Sequence, residues 1–201
     1  SVDFVILIGD YVVMEQTLPK MLRKTAADYP ELPAQYSKDS DGVFQPISYR
    51  DLYELVLDFA AALRQKGVVR GQPVGLISDN RKEWQQADMG IMALGAVDVP
   101  RGCDATLIDL KQILSFTECS IVIAENSSPV KKILSIKNEL PALTQIISFE
   151  DVKDDVKAEA GRTDVELLRF SDMLTEGKKI NIEHKAEIEA ELEQGQRDDI
   201  A

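Results

Sequence analysis

The chain has 201 residues, of which 44% are hydrophobic and 29% charged, enough apolar material for a buried core. Its formal net charge of −12 disfavours nucleic acid and anionic lipid as partners, and two cysteines with one histidine exclude a disulfide framework and leave a metal site of soft ligands almost without donors. No apolar run is longer than Phe4 to Ile8, which is far short of the roughly 20 residues that cross a bilayer, so no transmembrane segment is expected. No basic stretch precedes that run, which argues against a secretory signal and for a cytoplasmic protein.

Thr17 to Tyr29 reads as an amphipathic helix capped by Thr17, with Leu18, Met21, Leu22 and Ala26 as its inner stripe. Ala34 to Lys38 and Val43 to Ile47 read as short strands joined by Asp39-Ser40-Asp41-Gly42, a hairpin signal. Ser48, with Asp51 three residues on, caps a helix from Tyr49 to Lys66 that turns Leu52, Leu55, Val56, Phe59 and Leu63 to one side and stops at Gly67.

From there β-rich runs alternate with stretches of helical period. The strands are Val74 to Ser78, Ala96 to Val99, Ser120 to Ala124 and Gln145 to Phe149. Arg81 to Leu94 aligns Trp84, Ala87, Ile91 and Leu94 on one helical face, with Asn80 and Glu83 marking its start and Gly95 its end. Thr106 to Thr117 places Leu107, Leu110, Ile113 and Leu114 together, and a third helix, Pro129 to Leu140, opens on proline and closes before Pro141. Three strand-helix-strand units in succession predict an α/β fold: a parallel-sheet layered subdomain with helices on its faces, preceded by a short N-terminal hairpin and helices.

Further on, Asp151 to Asp164 reads as a polar loop, Val165 to Leu174 as a short helix, and Glu183 to Glu193 as a charged helix that packs lightly or awaits a partner. From Asp151 to Ala201, 15 acidic residues face 8 basic ones, a net of −7, so a looser, solvated stretch is expected. The expected organisation is residues 1–16 as an N-terminal extension, 17–150 as the α/β subdomain, and 151–201 as an acidic loop-helix segment.

The first place to look for chemistry is the strand end Val97-Asp98-Val99-Pro100-Arg101-Gly102-Cys103-Asp104, since ligands in open parallel sheets bind beyond the carboxyl ends of strands. Its residues also have plain structural readings. Pro100 stops a strand, Gly102 turns the chain, and Asp104 and Thr106 with Asp109 cap the next helix. Cys103 sits near a helix start, but the only histidine, His184, is some eighty residues away, so a Cys-His pair is not expected. His184 reads as a surface residue, Glu187, Glu189, Glu191 and Glu193 as an acidic solvated face, and Trp84 as core. Phosphate-loop, dinucleotide and nucleophile-elbow signatures are not found.

Three motifs in series resemble the opening of the adenylate-forming enzymes. They are Ile47-Ser48-Tyr49-Arg50-Asp51-Leu52, Asp79-Asn80-Arg81-Lys82-Glu83-Trp84 and Ala93-Leu94-Gly95-Ala96-Val97-Asp98-Val99-Pro100. Within that superfamily the chain is most similar to the long-chain fatty acid CoA ligases, through Phe170-Ser171-Asp172-Met173-Leu174, Glu176-Gly177 and the closing Asp198-Asp199-Ile200-Ala201. The resemblance runs from Thr17 to Ala201 and leaves Ser1 to Gln16 without a family signature.

It implies an enzyme that uses ATP with Mg²⁺ to convert a fatty acid into an acyl-adenylate and pyrophosphate, and then forms a thioester with CoA. The Pro-Lys-Gly phosphate loop of that family follows the Asp-Asp-Ile-Ala segment. The expectation is therefore an N-terminal fragment that is inactive and binds no cofactor alone, with no catalytic, cofactor-binding or metal residue assigned. Self-association through exposed apolar surface is expected of it, and peripheral membrane attachment stays open for the longer enzyme. Two other readings stay open: a flavodoxin-like module that binds a nucleotide or effector without chemistry, and an adenylation domain that loads another carboxylic acid onto a carrier protein. All three share the fold.

Overall fold

A computed structural model describes residues 17–199. The expectations for Ser1 to Gln16, and for Ile200 and Ala201, lie outside the described residues. The chain begins with α1 (Leu18–Asp28), the antiparallel hairpin β1 (Pro33–Lys38) and β2 (Phe44–Ser48), and α2 (Tyr49–Gln65). Then come β3 (Pro73–Ile77), α3 (Lys82–Ala93), β4 (Val97–Arg101), α4 (Leu107–Phe116), β5 (Ile121–Ala124), α5 (Ser127–Ser135) and β6 (Gln145–Ser148). The described part closes with α6 (Asp154–Ala160), β7 (Glu166–Arg169) and α7 (Phe170–Glu193).

Five parallel strands form one sheet in the order β4-β3-β5-β6-β7. All four residues of β5 are buried, as expected of a central strand with both faces covered, where hydrophobic runs replace alternation. On one face, Val74, Leu76, Ile121, Ile123 and Ile147 share a core with α1, α2, α3 and α7. On the other, Ile77, Val122, Ala124 and Ile146 pack beneath α4, α5 and α6. Gly75 faces this second layer, and a Cβ there would stand 3.0 Å from the Leu114 Cδ2 of α4. The α/β layered architecture expected from the alternation is the one observed.

The hairpin and α2 form as the sequence predicts. Asp39 Oδ1 accepts from the backbone N–H groups of Asp41 and Val43 at the turn, and Ser48 Oγ accepts from Asp51 N at 3.1 Å at the start of α2. Gly67, at φ 92°, follows α2 as the expected stop. α2 is more deeply enclosed than a single stripe implies: Tyr53, Leu57, Asp58 and Ala60 through Ala62 are buried as well, because α3 and α7 flank it.

Elsewhere tertiary packing overrides the local reading. Leu18 and Met21 of α1 are exposed while Pro19, Lys20, Leu22 and Ala26 are buried, so the inner stripe is rotated from the one predicted. Asn80 does not cap α3, whose N-cap is Arg81 with no side-chain bond; Glu83 instead accepts from Arg81 Nε at 2.8 Å. β4 runs through Pro100 to Arg101 rather than stopping at it, and an edge strand tolerates a residue without an N–H. α5 starts at Ser127, capped by Asn126, and ends at Ser135 before a short 3₁₀ turn.

The largest departures lie after Asp151. The expected polar loop contains α6, held by buried Val156 and Ala160. Residues 166–169 are a strand, not part of a helix, because the edge of β6 offers a parallel ladder from Gln145↔Glu166 to Ser148↔Arg169. The charged helix is the second half of the 24-residue α7, kinked at His184, and it lies against α2 with Ile188 and Leu192 buried. It does not pack lightly. Phe170 at its start meets Phe59 of α2 at 4.6 Å and Phe149 edge-on at 4.9 Å, which joins the helix to the sheet end.

Candidate functional site

From β3 the chain crosses to β4 on one side, then returns past β3 to β5 on the other, so the connections diverge between the carboxyl ends of β3 and β5. Such a divergence opens a crevice above an α/β sheet. Here three strand ends fill it with polar groups. Glu125, just past β5, accepts through Oε2 from Ser78 Oγ at 3.0 Å and from Asp79 N at 2.9 Å, and lies 3.5 Å from Cys103 Sγ. Asp79 Oδ1 accepts from Cys103 N at 3.0 Å, and Lys132 of α5 donates to the carbonyls of Cys103 and Ala105, both at 2.9 Å.

Burial pushes the Cys103 thiol up to about 11, and the Glu125 and Asp79 carboxylates beside it act in the same direction. At neutral pH it is therefore a protonated thiol, a poor nucleophile. One ligand atom each from Asp79, Cys103 and Glu125 lie within 4.8 Å of one another, a carboxylate-thiol-carboxylate set able to meet a cation that accepts sulfur once the thiol is deprotonated. The sequence reading found the Cys103 strand end and missed its partners. Taking the residues just past every strand end together, Ser78-Asp79, Gly102-Cys103 and Glu125-Asn126, would have found them.

The other singled-out residues fall in several places. Thr106 and Asp109 form the capping box of α4, as expected. A Cβ at Gly102 would stand 2.8 Å from Asp104 Oδ1, so the turn there is tight. His184 is surface-exposed, bonds Glu187 Oε1 at 2.8 Å, and makes no pair with Cys103. The glutamates expected as a solvated face are partly exposed but tie α7 to its neighbours. Glu187 meets Arg64 at 2.9 Å, Glu189 accepts from Tyr53 Oη at 3.1 Å, Glu191 lies 3.7 Å from Arg70, and Glu193 meets Arg23 at 2.6 Å. Trp84 is half-buried against the first core.

A family model described as AMP-binding enzyme matches residues 22–201. A chloroplastic long-chain-fatty-acid–[acyl-carrier-protein] ligase, AEE15, of Arabidopsis thaliana is 32% identical over 111 residues, 55% of this chain and 15% of that protein. The long-chain-fatty-acid–CoA ligase ACSBG2 of Xenopus laevis is 27% identical over 135 residues, 67% of this chain and 18% of that protein. Among solved structures, the A-PCP didomain of a carboxylic acid reductase from Segniliparus rugosus, in complex with AMP, superposes with a TM-score of 0.70 at 18% identity, over 82% of this chain and 27% of that one. The matches thus span under a third of the length of each of these relatives. No helix among the described residues is long and apolar enough to cross a membrane.

Proposed function

Because the chain belongs to the AMP-binding enzyme family, matched over residues 22–201, we propose that it supplies the amino-terminal α/β layer of an ATP-dependent, AMP-forming ligase that activates a long-chain fatty acid and passes it to CoA. In that reaction a carboxylate oxygen attacks the α-phosphorus of ATP and the bond to pyrophosphate breaks. A thiol then attacks the acyl carbon of the adenylate, and AMP leaves. The family match carries the activation step, and the plant and frog relatives, both named as long-chain fatty acid ligases, support the substrate class.

The described residues act in this reading as scaffold. Mg²⁺ asks for oxygen ligands in an octahedron, and the Asp79, Cys103 and Glu125 set, with a thiol protonated at neutral pH, does not fit it. No step of the reaction runs through that cluster.

A second reading has its own support: the plant relative is named for transfer to acyl-carrier protein, and the reductase structure joins its A domain to a PCP domain. There the accepting thiol belongs to a carrier protein. The protein expressed from its complete natural reading frame, given palmitate, labelled pyrophosphate and ATP, is expected to return label to ATP only when the acid is present. Absence of acid-dependent exchange overturns the activation reading. Adding CoA or carrier protein separately then identifies the acceptor by which thioester forms. The 201-residue chain by itself is expected to catalyse no exchange.

A further inference from the structure

On the carboxyl side of the sheet, away from the Cys103 cluster, a cavity of about 470 Å³ opens between the hairpin and the starts of α3 and α7. Ile47, Phe149 and Leu174, all half-buried, give it apolar walls. This is the size and lining of a small-molecule pocket.

Its polar groups are unspent. Gln86, on the inner side of α3, is only 5% exposed, yet its side-chain amide makes no hydrogen bond among the described residues. Gln35, on the hairpin wall, donates from Nε2 to Lys82 O at 3.2 Å and Gln85 Oε1 at 3.0 Å, which leaves its buried Oε1 without a donor. α3 begins without a side-chain cap, and Lys82 and Glu83 of its first turn line the same cavity. The wall thus presents donors and acceptors together.

Charge on that wall is balanced. Lys82 lies 4.0 Å from Glu83, and Glu83 is held by Arg81 at 2.8 Å. A carboxylate in the cavity would face Glu83 and the orphaned Gln35 oxygen, and a cation would face Lys82 and the start of α3. A neutral group with one N–H and one C=O side by side meets both demands, because it pairs twice with a primary amide such as that of Gln86.

We propose that this cavity binds a small neutral carboxamide carried on a flat apolar body, with the amide paired to Gln86 and the body against Phe149 and Leu174. The site is independent of the acyl-transfer reading. It gives the domain a ligand of its own.

The test is a titration of the 201-residue chain and its variants with benzamide, followed through the ¹⁵N-labelled backbone amides of Phe149 and Leu174, which line the cavity and are present in every variant, with benzoate as the charged control. A saturable shift of these amides is expected, with an affinity for benzamide about tenfold weaker in Gln86→Leu, which keeps the volume and removes the side-chain amide. Gln86→Glu, which keeps the length and removes the donor, is expected to weaken benzamide as well. Benzoate is expected to bind more weakly than benzamide to the parent chain. No saturable shift, undiminished benzamide binding in either folded variant, or tighter binding of benzoate would each overturn the proposal.

Discussion

Asn181 Nδ2 of α7 donates to Asp58 Oδ1 of α2 at 2.8 Å, between side chains that are 3% and 7% exposed. One turn earlier on α7, Gly177 lies directly on the Asp58 carbonyl oxygen, leaving no room for a Cβ. A close backbone approach and one buried polar pair therefore set the register of the longest helix against the central one. Gly177→Ala is expected to force the helices apart and cost about 1 to 3 kcal/mol, the range for overpacking a core. Urea denaturation measures it, and an unchanged midpoint would show that the helices accommodate the methyl.

Burial pushes the Asp58 carboxyl above its usual range, and the bond from Asn181 pulls it back. A folded-state pKa above the unfolded one means that stability falls as pH rises past the unfolded value of roughly 4. Asn181→Ala removes the downward pull, so its loss, about 1 to 3 kcal/mol, should be larger at pH 8 than at pH 4. Equal losses at both pH values would show that the bond does not act on the carboxylate.

Asp88 of α3 is a second buried carboxyl, pushed up to about 7 by burial and by the Asp98 carboxylate of β4. Its protonated form is favoured in the fold, so its destabilising effect should appear between about pH 4 and 7 and remain full above that. Asp88→Asn keeps the shape without the charge and is expected to raise stability at pH 8 by roughly 1 kcal/mol or more, with little effect at pH 4. Thermal melts across that range check it, and a pH-independent difference would point to packing instead.

Two capping signals that look alike in the sequence separate in the structure. Thr106 and Asp109 close a full capping box on α4, whereas Asn80 makes no cap for α3. Thr106→Ala is expected to cost about 1 kcal/mol and Asn80→Ala less than about half that, read from chemical denaturation of the two variants. A larger loss for Asn80→Ala would restore it as the start of its helix.

That pair shows where the sequence is legible and where it is not. β5 could be read from Ile121-Val122-Ile123-Ala124 because a doubly covered strand is apolar throughout. The hairpin was visible because Asp39 and Gly42 act on their immediate neighbours. β7 was hidden because Glu166-Leu167-Leu168-Arg169 carries no strand pattern of its own and is a strand by virtue of β6 beside it. The second half of α7 read as solvated because its glutamates find their cations on α1, on α2 and at Arg70, all distant in sequence. The crevice cluster was missed for the same reason. Asp79, Cys103 and Glu125 follow three different strands, and only the sheet order brings them together.

The chemistry of that cluster can be read from Cys103. A thiol pushed up to about 11 is almost wholly protonated at pH 7.5, so alkylation by iodoacetamide should be much slower than that of an unperturbed cysteine, whose pKa is roughly 8.5. The rate should keep rising with pH to about 11 rather than levelling off near 9. Because the Glu125 carboxylate lies beside the thiol, Glu125→Gln should shift the rate profile toward lower pH while leaving the burial contribution in place. Cys119, buried between α4 and β5, also has its thiol raised by burial, so the comparison belongs in a Cys119→Ser background. A profile that levels off near 9 in the parent would mean that the crevice is open to water at Cys103 and that its carboxylates do not act on the sulfur.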